Sequence, residues 1–141
     1  MADPRLGVGY AEIGAKFASF KIDNSTITYD ATQAGGSAQV GLAVTVSAAD
    51  TVALVADAGA IVGKLIKVES DNIATVQIAG GMVLAAGTGA SLTLGKKLVG
   101  DLLIAAKGYV REVNTGVPAE LGVARGMILD GGTTTAVEIY L

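Results

Sequence analysis

The chain contains no cysteine and no histidine, and these two absences exclude large classes of chemistry. Without cysteine there is no disulfide framework, no thiolate nucleophile and no zinc–thiolate site. Without histidine the chain lacks the usual general base near neutral pH and the commonest metal ligand. Catalysis by this sequence would depend on carboxylates or on a serine–lysine pair.

Charged residues are scarce as well, at 16% of 141 residues with a net charge of −3. The ten lysines and arginines are scattered, so no basic stripe follows a nucleic-acid backbone. Residues 72–95 carry no charge, but their glycines, threonines and period-two alternation favour strands over a membrane span. We therefore expect neither nucleic acid nor a membrane as a partner.

The first residues, MADPRLGVGYAEIG, place a proline and charges where an export signal requires an apolar run. The sequence thus predicts synthesis in the cytoplasm.

What the chain does contain is strand-forming sequence, from residue 39 onward. Its segments are short, rich in β-branched and aliphatic residues, and separated by glycine, aspartate, asparagine or serine. They predict a small all-β barrel or sandwich over residues 39–141. The predicted strands are 39–47, 51–56, 61–70, 74–79, 82–86, 91–100, 108–113, 126–130 and 133–141.

The best-patterned stretch is GKLIKVESDNIATVQIAGG, residues 63–81. In it Ile66 and Val68 alternate with Lys67 and Glu69, and the alternation resumes beyond a turn near residues 71–72. This alternation predicts a hairpin with one face in the core and one face exposed to solvent. A single helical candidate, residues 118–126, begins with proline at a first helical position and is limited to a turn or two by its glycines.

Residues 1–38, the N-terminal arm with its connector, differ from the rest. They hold four of the six aromatic residues and end in the turn-rich DATQAGGS at 30–37. The aromatics are Tyr10, Phe17, Phe20 and Tyr29. Two alternatives stay open: the rings cap the domain's own core, or they are buried in a partner.

No motif in the chain meets the requirements of a catalytic or cofactor site. Glu69 and Asp71 form the closest carboxylate pair, but their position at a polar turn predicts solvated side chains. Residues 58–65 and 90–97 each contain Gly-Lys but lack the first glycine and the final serine or threonine of a phosphate loop. Residues 7–14 miss the dinucleotide fingerprint, since the third glycine arrives two positions late. We expect no enzyme, no cofactor, no metal and no small-molecule substrate.

Residues 36–141 resemble the family of small bacteriophage capsid cement or head decoration proteins. The resemblance lies in the order of glycine-bounded strands, above all VGKLIKVESD, VQIAGG, LGKKLVGD and the later ARGMIL. It implies an all-β domain, commonly a homotrimer on a three-fold or quasi-three-fold position of the shell. Such a trimer bridges neighbouring subunits of the major capsid protein.

The resemblance implies a structural virion protein on the outer capsid surface, which decorates and stabilises the shell without catalysis. The aromatic residues of the N-terminal arm are then its candidate capsid-binding residues, because aromatic anchors dominate many interfaces. The alternative is a host- or glycan-binding β module on a phage particle, which would also lack catalytic groups.

Overall fold

The computed structural model describes residues 14–88, 92–130 and 136–140, and these residues form the expected all-β molecule. Helical structure in them is limited to α1 (Pro118–Val123) and a 3-10 turn at Ala34–Gly36. The strands are β1 (Lys16–Ile22), β2 (Ala43–Ala48), β3 (Thr51–Leu54), β4 (Gly63–Val68), β5 (Ile73–Ala79), β6 (Gly81–Ala85), β7 (Leu98–Leu103), β8 (Ala106–Glu112), β9 (Met127–Asp130) and β10 (Ala136–Tyr140).

Five strands close into a barrel in the order β1-β3-β2-β4-β5, which confirms the predicted all-β barrel. All neighbours are antiparallel except β1 and β3, which run parallel and are paired at Lys21 and Ile22. Closure removes most of the unpaired backbone that an open sheet would leave at its edges.

The barrel is filled by one cluster of buried aliphatic side chains, most of them β-branched. Such side chains pack well on a pleated surface, which is why these short segments form strands. The buried cluster consists of Ile22, Ile27, Val44, Val52, Leu65, Val68, Ala74 and Val76.

The predicted hairpin is present as β4 and β5, but its core face differs from the prediction. Leu65 and Val68 are buried, whereas Ile66 is only partly buried. The pairing with β5 shifts between Leu65 and Lys67, and this irregularity adds one residue to β4. The prediction that Ile66 faces the core together with Val68 is therefore wrong, because a bulge changes which side chains face inward.

The remaining strands form a three-stranded sheet, β6-β10-β9, and a two-stranded ribbon, β7-β8. A second buried cluster lies beneath them, and Ala43 of β2 belongs to it, so a barrel strand packs against this part of the molecule. Its members are Ala43, Val55, Ile61, Met82, Leu84, Leu98, Val110 and Ile128.

Arg125 joins the two parts by hydrogen bonds to main-chain oxygens only. Its guanidinium donates to the carbonyls of Ile61 (3.2 Å), Val62 (3.0 Å) and Ile78 (3.0 Å). Its own backbone pairs with Leu98 in both directions. A planar group with several donors can satisfy three carbonyls at once, so Arg125 ties the segment before β9 to the barrel.

The barrel begins inside the segment that the sequence assigned to the N-terminal arm. β1 pairs with β5 from Lys16 to Lys21 and contacts β3 at its end, so a boundary at residue 38 falls after the first barrel strand. The segment KFASFKI directs Phe20 and Ile22 toward the core cluster, which β1 helps to enclose. Residues 1–13, which include Tyr10, lie outside the described residues.

Strand boundaries also differ from the prediction, and the two largest differences are at the starts of β2 and β7. Residues 39–42 form turns and β2 begins at Ala43, while residues 92–97 precede β7, which begins at Leu98. The short helix begins at Pro118, as predicted, and ends at Val123. A proline suits this position because the first helical N–H has no partner within the helix.

Candidate interaction surfaces

Phe17 and Phe20 lie on the same strand but have different environments. Phe17 is 54% exposed and is paired with Gln77 of β5 on the outer side of the barrel. Phe20 is partly buried and packs against the barrel core. Phe20 therefore packs against the core of its own domain, and Phe17 is left exposed to solvent.

The connector after β1 is a closed turn that packs on the barrel. The N–H of Asp30 donates to the carbonyl of Gly36 at 2.8 Å, and a 3-10 turn lies between them. Gly36 has φ +83° and lies so close to the carbonyl of Val68 that a Cβ would overlap it. Tyr29, which is 37% exposed, lies over this glycine, so its ring is half covered by its own domain.

Among residues 14–88, 92–130 and 136–140, one edge of β1 has no strand partner over most of its length. The N–H of Lys21 donates to the carbonyl of Asp50 on the β3 side, and the N–H of Ile22 donates toward β5. Because N–H groups alternate along a strand, those of Phe17 and Ser19 point to the same side as that of Lys21. Within the described residues, pairing with β3 includes only Lys21 and Ile22, so the outward N–H groups of Phe17 and Ser19 have no strand partner there, next to the exposed ring of Phe17.

The carboxylate pair singled out in the sequence lies at an exposed turn. Glu69 accepts Lys67 Nζ at 3.0 Å, with both side chains about half exposed. Asp71 accepts the N–H of Ile73 at 3.1 Å and thereby stabilises the turn between β4 and β5. Both groups thus have local structural partners at this turn.

A polar cleft of about 680 Å³ lies beside β8 and contains a cluster that the sequence did not reveal. Arg111 lies at its centre, with only 15% of its side chain exposed. Its guanidinium nitrogens lie 2.6 Å from Glu120, 3.2 Å from Asp57 and 3.9 Å from Asp101. The Asp101 and Glu120 side chains are nearly buried, so the arginine balances acidic groups from three separate segments.

The Arg111–Glu120 contact shifts the pKa of both groups. The hydrogen bond from Arg111 lowers the pKa of Glu120, against an opposing effect of burial, and the N–H of Asn114 lowers it further. The same hydrogen bond raises the pKa of Arg111, with Asp57 contributing in the same direction. Both shifts favour the charged forms of Arg111 and Glu120, as expected for a structural ion pair.

Helix α1 is attached to the domain by its acidic residue. Glu120 is its one buried residue, whereas Leu121 is 47% exposed and Val123 is 40% exposed. This arrangement reverses the usual amphipathic pattern, in which aliphatic side chains face the core. The contact with Arg111 therefore fixes the orientation of α1 and presents its aliphatic side chains to solvent.

Asp23 organises the loop that follows β1. Burial alone would raise its pKa, but N–H groups of Thr26 (3.0 Å) and Ile27 (2.9 Å) bond to the carboxylate and lower the pKa below 3.8. The Thr26 hydroxyl also donates to Asp23, at 2.7 Å, and accepts the N–H of Leu54 at 2.9 Å. These contacts connect the loop after β1 to β3.

In the described part of the chain, no three acidic residues come together in a way that could hold a metal ion. No helix within the same residues is long and apolar enough to cross a membrane. Comparison with known proteins finds no family model that matches the chain and no curated protein related to it.

Proposed function

We propose that the protein is a structural component of a bacteriophage virion, which binds across neighbouring major capsid subunits as a homotrimer on the outer surface and stabilises the shell. The observation that carries the proposal is the open edge of β1 beside the exposed ring of Phe17. The resemblance of residues 36–141 to capsid cement proteins supports it.

Strand addition is the binding mode that this edge favours. A segment of coat protein lying along residues 16–19 would bond to the outward N–H and C=O groups of Phe17 and Ser19. The Phe17 ring adds a large apolar contact at low cost in side-chain entropy. Main-chain hydrogen bonds would then provide affinity, and the phenylalanine pocket on the partner would provide specificity.

Stabilisation of the shell requires only differential binding. A protein that binds the assembled lattice but not free subunits shifts the equilibrium toward assembly. Three copies held together increase the effective concentration of the second and third contacts, and the overall binding tightens by about 10²–10⁴-fold. This mechanism uses none of the carboxylates around Arg111, which are already engaged with it.

The test is co-sedimentation of the purified protein with undecorated expanded capsids and with unexpanded procapsids. We expect saturable binding to expanded capsids and much weaker binding to procapsids. The proposal would be contradicted if the protein bound neither particle. Binding to host cells or glycans in that case would support the host-binding alternative.

A proline substitution tests the strand-addition step. Ser19→Pro removes an outward N–H while leaving the β1–β5 hydrogen bonds in place, and proline is tolerated at such edge positions. Ser70→Pro is the matched control, because Ser70 is exposed at the first central position of the turn closed by the bond from Asn72 N–H to Glu69 O. We expect Ser19→Pro to lose capsid binding and Ser70→Pro to keep it. Equal binding by the two variants would contradict strand addition at β1.

A further inference from the structure

A small pocket of about 200 Å³ borders the open edge of β1. It lies where β1 meets the start of β3, since its lining includes Asp50, whose carbonyl accepts the N–H of Lys21. Ser19, whose N–H points to the same edge, also contributes. The lining consists of Ser19, Phe20, Lys21, Asp50 and Ile73. A strand added along this edge would therefore run directly past the pocket.

Phe17 and the rim of the pocket lie on one face of β1. Phe17, Ser19 and Lys21 are exposed, whereas the residues between them are partly buried. Ile73, which also lines the pocket, is paired with Lys21 across β1 and β5. Side chains on one face of a strand recur every second residue, about 7 Å apart. A bound strand has the same spacing, so its side chains i and i+2 would lie beside Phe17 and beside the pocket.

The pocket combines an apolar wall with two opposite charges. Phe20 and Ile73 are partly buried and form its inner wall, whereas Ser19, Lys21 and Asp50 are exposed and form its rim. A charged side chain of either sign would meet one repulsion for each attraction, and it would also lose hydration. An uncharged aliphatic side chain avoids both costs and gains apolar contact with the inner wall.

We propose that this pocket receives one aliphatic side chain of the coat-protein strand that pairs with β1, two residues away from the side chain that contacts Phe17. The pocket is smaller than the roughly 300–1,000 Å³ of most small-molecule sites, so a single side chain fits it better than a separate ligand. The inference rests on the proposed function and specifies the partner strand: uncharged, apolar residues at positions i and i+2.

Short peptides test the pocket without capsids. The probes are three end-blocked pentapeptides, threonine–X–threonine–X–threonine, in which X is valine, aspartate or lysine, because threonine favours an extended strand. NMR follows the amide chemical shifts of the intact protein during each titration. We expect the valine peptide to shift the amides of Phe17, Ser19 and Lys21. The two charged peptides should bind at least about tenfold more weakly.

A pocket-filling variant separates the pocket from the backbone edge. Ser19→Phe keeps the outward N–H of residue 19 but fills the pocket from its exposed rim, so it should bind the valine peptide at least about tenfold more weakly than the wild type. Lys67→Phe is the matched control, because it places the same ring at an exposed residue of β4, which β5 separates from β1. The control should bind like the wild type.

A charge variant tests the balance at the rim. Asp50 has φ +54°, which asparagine tolerates, so Asp50→Asn should keep the turn and leave Lys21 without the opposing charge. This variant should bind the aspartate peptide better than the lysine peptide, a preference that the wild type should lack. Because the substitution is conservative and exposed, it provides the test even if Ser19→Phe fails to fold.

The inference would be overturned by equal binding of the three peptides, by normal binding of the valine peptide to Ser19→Phe, or by the absence of shifts along β1. In co-sedimentation with undecorated expanded capsids, Ser19→Phe should bind at least about tenfold more weakly than Lys67→Phe. Equal capsid binding by these two variants would contradict the pocket but not the proposed function. A wild type that shows the peptide preference but does not bind capsids would contradict the proposed function alone.

Discussion

Arg111 and Glu120 form the closest ion pair described in the structure, with 2.6 Å between Nη1 and Oε1. The pair connects β8 to α1, whose two large aliphatic side chains point away from the domain. A helix of six residues has little stability of its own, so its position depends on this contact.

Removal of Arg111 should destabilise the fold in a way that acid partly reverses. Arg111→Met leaves the nearly buried carboxylate of Glu120 without its cation and without the hydrogen bond that lowers its pKa, so the pKa of Glu120 rises. A carboxyl group whose pKa is higher in the folded than in the unfolded protein stabilises the fold less as pH rises through that range. We therefore expect the free energy of unfolding of the variant to be higher at pH 5 than at pH 7. The wild type, in which Arg111 lowers the pKa of Glu120, should show no such gain.

Thermal melts of both proteins at pH 7 and pH 5 provide the measurement. At pH 7 the melting temperature of Arg111→Met should lie several degrees below that of the wild type. Parallel pH dependence in the two proteins would contradict the assignment of Arg111 as the balancing charge.

Loss of the Asp23 carboxylate should open the loop after β1. Asp23→Ala removes the acceptor for the N–H groups of Thr26 and Ile27 and should lower the free energy of unfolding by about 1–2 kcal/mol. Asp71→Ala, which removes a single N–H contact at an exposed turn, is the control and should cost less than about 0.5 kcal/mol. Urea unfolding at pH 7 measures both.

The Asp23 carboxylate should also make the free energy of unfolding fall in acid. Because folding lowers the pKa of Asp23, its contribution is complete above about pH 3.8 and is lost as pH falls through the lower folded value. The stability difference between the wild type and Asp23→Ala should therefore narrow in strong acid. A difference that stays constant from pH 7 to pH 2 would exclude this role.

Substitution of Phe20 should affect folding stability, whereas substitution of Phe17 should affect capsid binding. Phe20→Ala removes a ring packed on the barrel core and should cost about 2 kcal/mol of folding stability. Phe17→Ala should leave stability nearly unchanged and weaken binding to expanded capsids by about 30-fold. Urea unfolding and capsid co-sedimentation of the two single variants test this, and a reversed assignment of effects would refute it.

Arg125 should contribute through its three carbonyl partners. Arg125→Met keeps most of the aliphatic stem but leaves the carbonyls of Ile61, Val62 and Ile78 without a donor, and we expect a loss of about 2–3 kcal/mol. Arg125→Lys should recover part of it, since an ammonium group can reach some but not all of these oxygens. Equal stability of the two variants in urea would contradict the importance of the planar group.

The local features of this fold could be predicted from the sequence. Short runs of aliphatic residues bounded by turn formers predicted most of the strands, and the hairpin of β4 and β5 followed from its alternation. The position of Pro118 predicted the start of the one short helix. Each of these features depends on residues that are close in the chain, so the local pattern determines it.

The tertiary structure alone decided the features that depend on distant residues. Asp57 and Arg111 are 54 residues apart, and no spacing rule indicates that they meet. Barrel closure by β1 decided that Phe20 packs inward while Phe17 stays exposed, although the two residues look alike in the sequence. The physical reason is that the partners of a side chain are fixed by which strands pair, and pairing between distant strands depends on the whole packed core.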